Sequence, residues 1–116
     1  MKINVSQRDD VVILTPIGKI IGPAVSDLRK TIDEQLANFT DAPKFLINFA
    51  DVSMLDSSGL GTLMGTHVSV VRKNGRIAVI NVGANIKNLI VRSRLISVFE
   101  HFDSEDEAIA SLTTDG

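Results

Sequence analysis

Short runs rich in β-branched residues alternate with longer stretches whose apolar residues recur every three to four positions, and this order leaves few folds open. Lys2 to Ser6 alternates and predicts an edge strand, and Arg8-Asp9-Asp10 a turn. Val11-Val12-Ile13-Leu14-Thr15-Pro16-Ile17 predicts a second strand paired with the first as a hairpin. Pro16 lacks a ladder donor and marks an edge or an ending. Gly18 to Pro23 reads as loop, in which Lys19-Ile20-Ile21 fits either packed turn residues or a partner patch, with packing slightly favoured. Val25, Leu28, Ile32, Leu36 and Phe39 form the stripe of an amphipathic helix ending near Thr40-Asp41-Ala42-Pro43. Lys44 to Phe49 is the central strand, and after a loop over Asp51 to Leu55 a helix runs to about Lys73. Asn74-Gly75 stops that helix, because both residues tolerate the left-handed conformation. Arg76 to Asn81 is a parallel strand, Asn85 to Leu95 a helix and Val98 to Phe102 a short strand. A capping box at Ser104 and Glu107 opens a last helix through Leu112, and Thr113 to Gly116 is a frayed tail. The fold class is therefore α/β. One domain spans residues 1–116, with an ordered core of about 2–112. Its sheet is mixed but mostly parallel, with an N-terminal hairpin, right-handed crossovers and about four helices.

The strand-to-helix junction Asp56-Ser57-Ser58-Gly59-Leu60-Gly61-Thr62-Leu63-Met64-Gly65 is where chemistry concentrates. Asp56, Ser57 and Ser58 are each good N-caps, because a short side-chain oxygen accepts an unpaired N–H of the first turn. Gly59, Gly61 and Gly65 weaken the helix they open by about 1 kcal/mol each relative to alanine. They also keep side chains away from its start.

Several function classes fail on the residues present. A serine nucleophile needs a base within hydrogen-bond reach. The histidines are His67 and His101, and His67 lies roughly 15 Å down the helix from Ser57. G-x-S-x-G is absent, and Glu100 and Asp103 precede a helix whose dipole accounts for them. Gly59-Leu60-Gly61 fits a phosphate cradle only weakly: Met64 stands where a dinucleotide fingerprint needs glycine, and Gly65-Thr66-His67 is no P-loop. Arg92 and Arg94 suit a helix C-terminus. A net charge of −2 offers no basic stripe for DNA, and no apolar run reaches the roughly 18 residues of a membrane span. With no cysteine and no signal peptide, a cytoplasmic location is expected. No cofactor and no metal site is expected.

Asp56-Ser57-Ser58-Gly59-Leu60-Gly61, after the strand and the stretch Asp51-Val52-Ser53-Met54-Leu55, resembles the signature of the STAS domain family (sulfate transporter and anti-sigma factor antagonist). It is most similar to the free-standing bacterial anti-sigma factor antagonists. The resemblance runs over nearly the whole chain, and its specificity sits in residues 51–65.

The resemblance implies a non-enzymatic protein that regulates transcription by partner switching. It binds an anti-sigma factor serine kinase, which carries the ATP and magnesium, and a PP2C-type phosphatase reverses the modification. The implied phosphoacceptor is Ser57, with Ser58 second; Asp56 orients the hydroxyl or helps position the kinase's magnesium. Ser58 caps the helix or serves as a minor acceptor, and Gly59 and Gly61 permit close approach. Asp56, Ser58, Gly59, Leu60 and Gly61 together form the implied partner-binding signature. Gly18-Lys19-Ile20-Ile21-Gly22 lacks the acidic residue that family members often carry after the second strand, and Thr66-His67 replaces a frequent basic residue. These departures keep a second reading open: an adaptor or scaffold module outside the sigma pathway, for example in a signalling or lipid-transport complex, with weak nucleotide binding.

Overall fold

A computed structural model of the chain describes residues 1–95 and 97–114. The elements in order are β1 (Lys2–Arg8), β2 (Val11–Ile20), α1 (Ala24–Leu36), β3 (Lys44–Asn48), β4 (Val52–Leu55), α2 (Ser57–Arg72), β5 (Arg76–Ile80), α3 (Ala84–Arg92), β6 (Glu100–Phe102) and α4 (Glu105–Leu112). The strands form one sheet in the order β1-β2-β3-β5-β6, with β4 paired to β2 off that path. β1 and β2 are antiparallel; the other pairings are parallel. The α/β class, the mixed sheet, the hairpin and the four helices are as the sequence predicts. Of the tail expected over Thr113 to Gly116, Thr113 and Thr114 cap the end of α4 with N–H bonds to Ile109 O and Ser111 O, and residues 115 and 116 lie outside the described residues.

The hairpin closes on Asp9 and Asp10, with φ of 50° and 68°, between the paired residues Arg8 and Val11. Two central residues at positive φ match the twist of the flanking strands. β2 differs from expectation: it continues through Lys19 to Ile20 instead of ending at Ile17. Val11 to Leu14 pair with β3, and Gly18 to Ile20 pair with β4 across a register shift. Pro16 lies between those two ladders, where a missing N–H costs least. Residues 52–55, expected as loop, are the short strand that β2 recruits.

Helices α1, α2 and α3 cover one face of the sheet. Leu28, Ile32, Leu60, Leu63, Ile86 and Ile90 pack there against Val12, Leu14, Phe45, Ile47 and Val79. On the opposite face, among the described residues, α4 through Ala108, Ile109 and Leu112 covers Val11, Ile13, Leu46, Ala78 and Ile80. Burial on both faces is why β2, β3 and β5 read as continuous apolar runs rather than alternating ones. Each fully buried Leu or Ile contributes roughly 1.5–3 kcal/mol of transfer free energy. Arg8 ties the hairpin to α4 through Glu105 (2.9 Å) and Asp106 (2.7 Å).

Helix ends explain the remaining shifts of boundary. α1 stops at Leu36, before Phe39, which turns inward and meets the Phe45 ring edge-on at 6.1 Å. Lys73 Nζ donates to the Leu36 and Phe39 carbonyls, at 3.3 and 3.0 Å, and so satisfies the groups that α1's end leaves open. α2 ends in a Schellman motif: Asn74 sits at φ 62°, Asn74 N–H donates to Val71 O, and Gly75 N–H donates to Val70 O. Asn74 thus takes the left-handed position. Gly75 serves a different need, since a Cβ there would sit 2.1 Å from Pro43 O. α3 ends at Arg92 rather than at Leu95 by the same motif, with Arg94 at φ 60° and Leu95 N–H on Ile90 O. β6 is correspondingly short, beginning at Glu100.

Candidate functional site

β4 delivers the chain to Asp56, whose backbone is extended (φ −98°, ψ 179°), and α2 begins at Ser57. Asp56 is therefore the N-cap. Its Oδ1 accepts the Gly59 N–H at 2.8 Å, as a cap does from the third helical residue. The same oxygen accepts the Ser58 hydroxyl at 2.7 Å. Its Oδ2 accepts the Gly22 N–H at 3.3 Å, and the Asp56 N–H donates to Ile20 O at 3.3 Å. One residue thus caps α2, holds a serine, and ties the β2–α1 turn to the helix start.

These donors hold the Asp56 carboxyl below its usual range: the Ser58 hydroxyl contributes most, then the Gly59 amide, with the Gly22 amide adding to them. Each stabilises the ionised form. The cap assignment settles one sequence expectation and corrects another. Ser58 does not cap the helix, because the helix register puts it at the second helical position. Asp56 orients the Ser58 hydroxyl and not that of Ser57.

Ser57 occupies the first helical position, exposed, and its hydroxyl bonds to none of the described residues. Gly61 is also exposed, with open space around it. Gly59 and Leu60, expected in a contact surface, point inward and are buried. A Cβ on Gly59 would stand 2.5 Å from Leu55 Cδ1 and 2.7 Å from Ile20 O. The close approach that Gly59 permits is that of α2 to β2 and β4, and not that of a partner. Ile20 is fully buried, while Lys19 is exposed and Ile21 half-buried beside it.

The histidines stand apart from the serines. His67 packs edge-on against Phe99, with ring centroids 5.9 Å apart. His101 lies on β6. Glu100 is engaged by Arg76, which also donates to Ser111 O at 2.7 Å, so it braces β5, β6 and α4. The sequence did not mark the Ile20 carbonyl and the Gly22 amide as parts of the site. Both are backbone groups, for which no residue type is a signature.

The arrangement offers a free hydroxyl on a helix N-terminus, backed by a carboxylate already committed to three donors. It carries no base for that hydroxyl among the described residues. Among the described residues, no helix is long and apolar enough to cross a membrane.

The STAS domain profile matches residues 2–108. An anti-sigma F factor antagonist of Paenibacillus polymyxa is 23% identical over 112 residues, covering 97% of this chain and 95% of that protein. Among solved structures, a putative anti-sigma factor antagonist of Thermotoga maritima superposes with a TM-score of 0.89 at 20% identity, over 97% of this chain and 95% of that one. The Bacillus cell-fate determinant SpoIIAA, solved in a phosphorylated form, superposes with a TM-score of 0.71 at 22% identity, over 95% and 98% of the two chains.

Proposed function

The chain belongs to the STAS domain family, and from that premise we propose that it is an anti-sigma factor antagonist switched by phosphorylation of Ser57. In this reading the unmodified protein binds an anti-sigma factor that is also a serine kinase. The kinase brings ATP and magnesium, phosphorylates Ser57 and releases the antagonist, and a PP2C-type phosphatase resets it. The chain is substrate and ligand, not catalyst, and acts in the cytoplasm. The names of its relatives support the role.

The observation that carries the choice of residue is the contrast between two adjacent serines. Ser57 presents an exposed hydroxyl with no bond to the described residues, whereas the Ser58 hydroxyl donates a hydrogen bond to Asp56 at 2.7 Å. Asp56 prepares the site by fixing the helix start and the Gly22 turn as one surface, on which Ser58 and Gly61 flank the acceptor. Gly59 and Leu60 contribute from beneath, by setting the height of α2 over the sheet.

Phosphorylation adds about −1.5 to −2 charges and three acceptor oxygens. The helix N-terminus favours them by roughly 0.3–1 kcal/mol, and the adjacent Asp56 carboxylate opposes them. The two effects offset, so the domain stays folded and the change falls on the interface. A mispaired, desolvated charge there costs on the order of 2–5 kcal/mol, enough to release a partner.

Intact-mass measurement of the chain recovered from its own host tests the reading, with wild type beside Ser57→Ala and Ser58→Ala. One added phosphoryl group that disappears only in Ser57→Ala is the expected result. Absence of the modification in every growth condition would overturn the switch and favour the constitutive adaptor.

A further inference from the structure

The inner face of α2 buries Leu60, Leu63, Thr66 and Val70. Its outer crest is Ser57, Gly61, Val68 and Val71, exposed, with Met64 half-buried against the core in the same row; at 100° per residue the five fall within a sector of about 80°. Such a crest normally carries charge. Here Val68 and Val71 are 43% and 51% exposed, and the first charged residue on the crest is Arg72. Gly61 leaves a gap in the same row, with no atom within 4 Å of where a Cβ would stand.

We propose that this crest is an interaction surface for a second copy of the chain, docked antiparallel about a two-fold axis. The pattern is self-complementary in one register. With the axis between Met64 and Gly65, Val68 of each copy enters the gap over Gly61 of the other. Arg72, the cation at one end of the row, then comes over Ser57 and the Asp56 carboxylate at the other end. A parallel arrangement would instead set Arg72 against Arg72 and leave the gap at Gly61 unfilled. Isologous contacts of this kind are the commonest route to dimers, and ridges of this size pack with helix axes about 8–10 Å apart. The surface itself requires neither kinase nor phosphate, but it covers Ser57, so the dimer and a kinase seated at Ser57 exclude one another.

The chain has no cysteine, so engineered thiols report on the register without background. In the proposed dimer, Gly61→Cys and Val68→Cys in one chain place each thiol opposite its counterpart in the second copy. Like residues of the two copies stand roughly 10 Å apart along the helices, too far for a disulfide. The double variant, equilibrated in oxidised and reduced glutathione, is expected to accumulate disulfide-linked dimer roughly tenfold over either single variant. Sedimentation equilibrium of the wild type is expected to rise toward two chains with concentration, and Val68→Glu, at an exposed position, to remove that rise. A single variant that links as readily as the double, or a wild type that remains monomeric into the millimolar range, would overturn the proposal. So would a dimer indifferent to Val68→Glu.

Discussion

The Ser58 hydroxyl lies 2.7 Å from Asp56 Oδ1 and donates to it, while Ser57, one residue nearer in sequence, makes no such bond. The helix register produces this inversion. The N-cap side chain folds back over the first turn, toward the second and third helical residues and away from the first.

Asp56 holds more than a cap, so Asp56→Ala is expected to lower the urea midpoint further than Ser58→Ala, which removes only the hydroxyl and leaves the two backbone N–H donors to the carboxylate in place. The effect depends on pH in a fixed direction. The folded carboxyl titrates below its ordinary value of 3.8, so its contribution is fully present above that value. It is lost as pH falls through the lower, folded value. Urea midpoints of wild type and Asp56→Asn should therefore differ near neutrality and converge in strong acid. A gap that stays constant down to low pH would contradict the assignment.

The two glycines that flank Leu60 should respond in opposite ways. Gly59→Ala forces a methyl group against Leu55 and the Ile20 carbonyl, so a loss of roughly 1–3 kcal/mol or more is expected. Gly61→Ala enters open space in a helix and should gain up to about 1 kcal/mol. Denaturant titration of the pair separates a packing role from a surface role at each position.

At the far end of α2 the roles of Asn74 and Gly75 separate in the same way. Gly75→Ala would drive a Cβ into the Pro43 carbonyl, to which the Arg76 N–H donates, and is expected to cost at least about 3 kcal/mol. Asn74→Ala keeps the space but loses the side-chain bond to Asp41 and places alanine at positive φ, for roughly 1–2 kcal/mol. Thermal unfolding should rank the two.

Arg94 ends α3 in the left-handed region, which glycine occupies without strain. Arg94→Gly is expected to raise stability by up to about 1 kcal/mol. A lower unfolding midpoint would mean that the arginine side chain has a role the backbone does not account for.

Ser57→Asp places a charge on the exposed first position of α2 and touches no buried group. Its unfolding midpoint should stay close to that of wild type, while its affinity for the proposed anti-sigma factor kinase partner, read by calorimetry, should fall at least roughly tenfold. Unchanged affinity would argue against a switch driven by charge.

The order of elements was legible because burial on two faces writes itself into β2, β3 and β5 as unbroken apolar runs, and into α1 as a stripe. β4 was not. Its four residues are too few to show a period, and it exists because the far end of β2, more than thirty residues earlier, offers it an edge. The junction at Asp56 was legible as a cap, but three candidate residues in a row left the register open. Gly59 was misread for a related reason. Glycine marks a close approach, and the sequence does not say whether a partner or the domain's own β2 and β4 does the approaching.

The division of the sheet between three helices and one has a consequence for synthesis. The face formed by Val11, Ile13, Leu46, Ala78 and Ile80 has α4 as its cover among the described residues. A nascent chain can close its first core once Phe99, beyond α3, has emerged, yet it displays those five apolar residues to chaperones and to other nascent chains until Leu112 has cleared the ribosome.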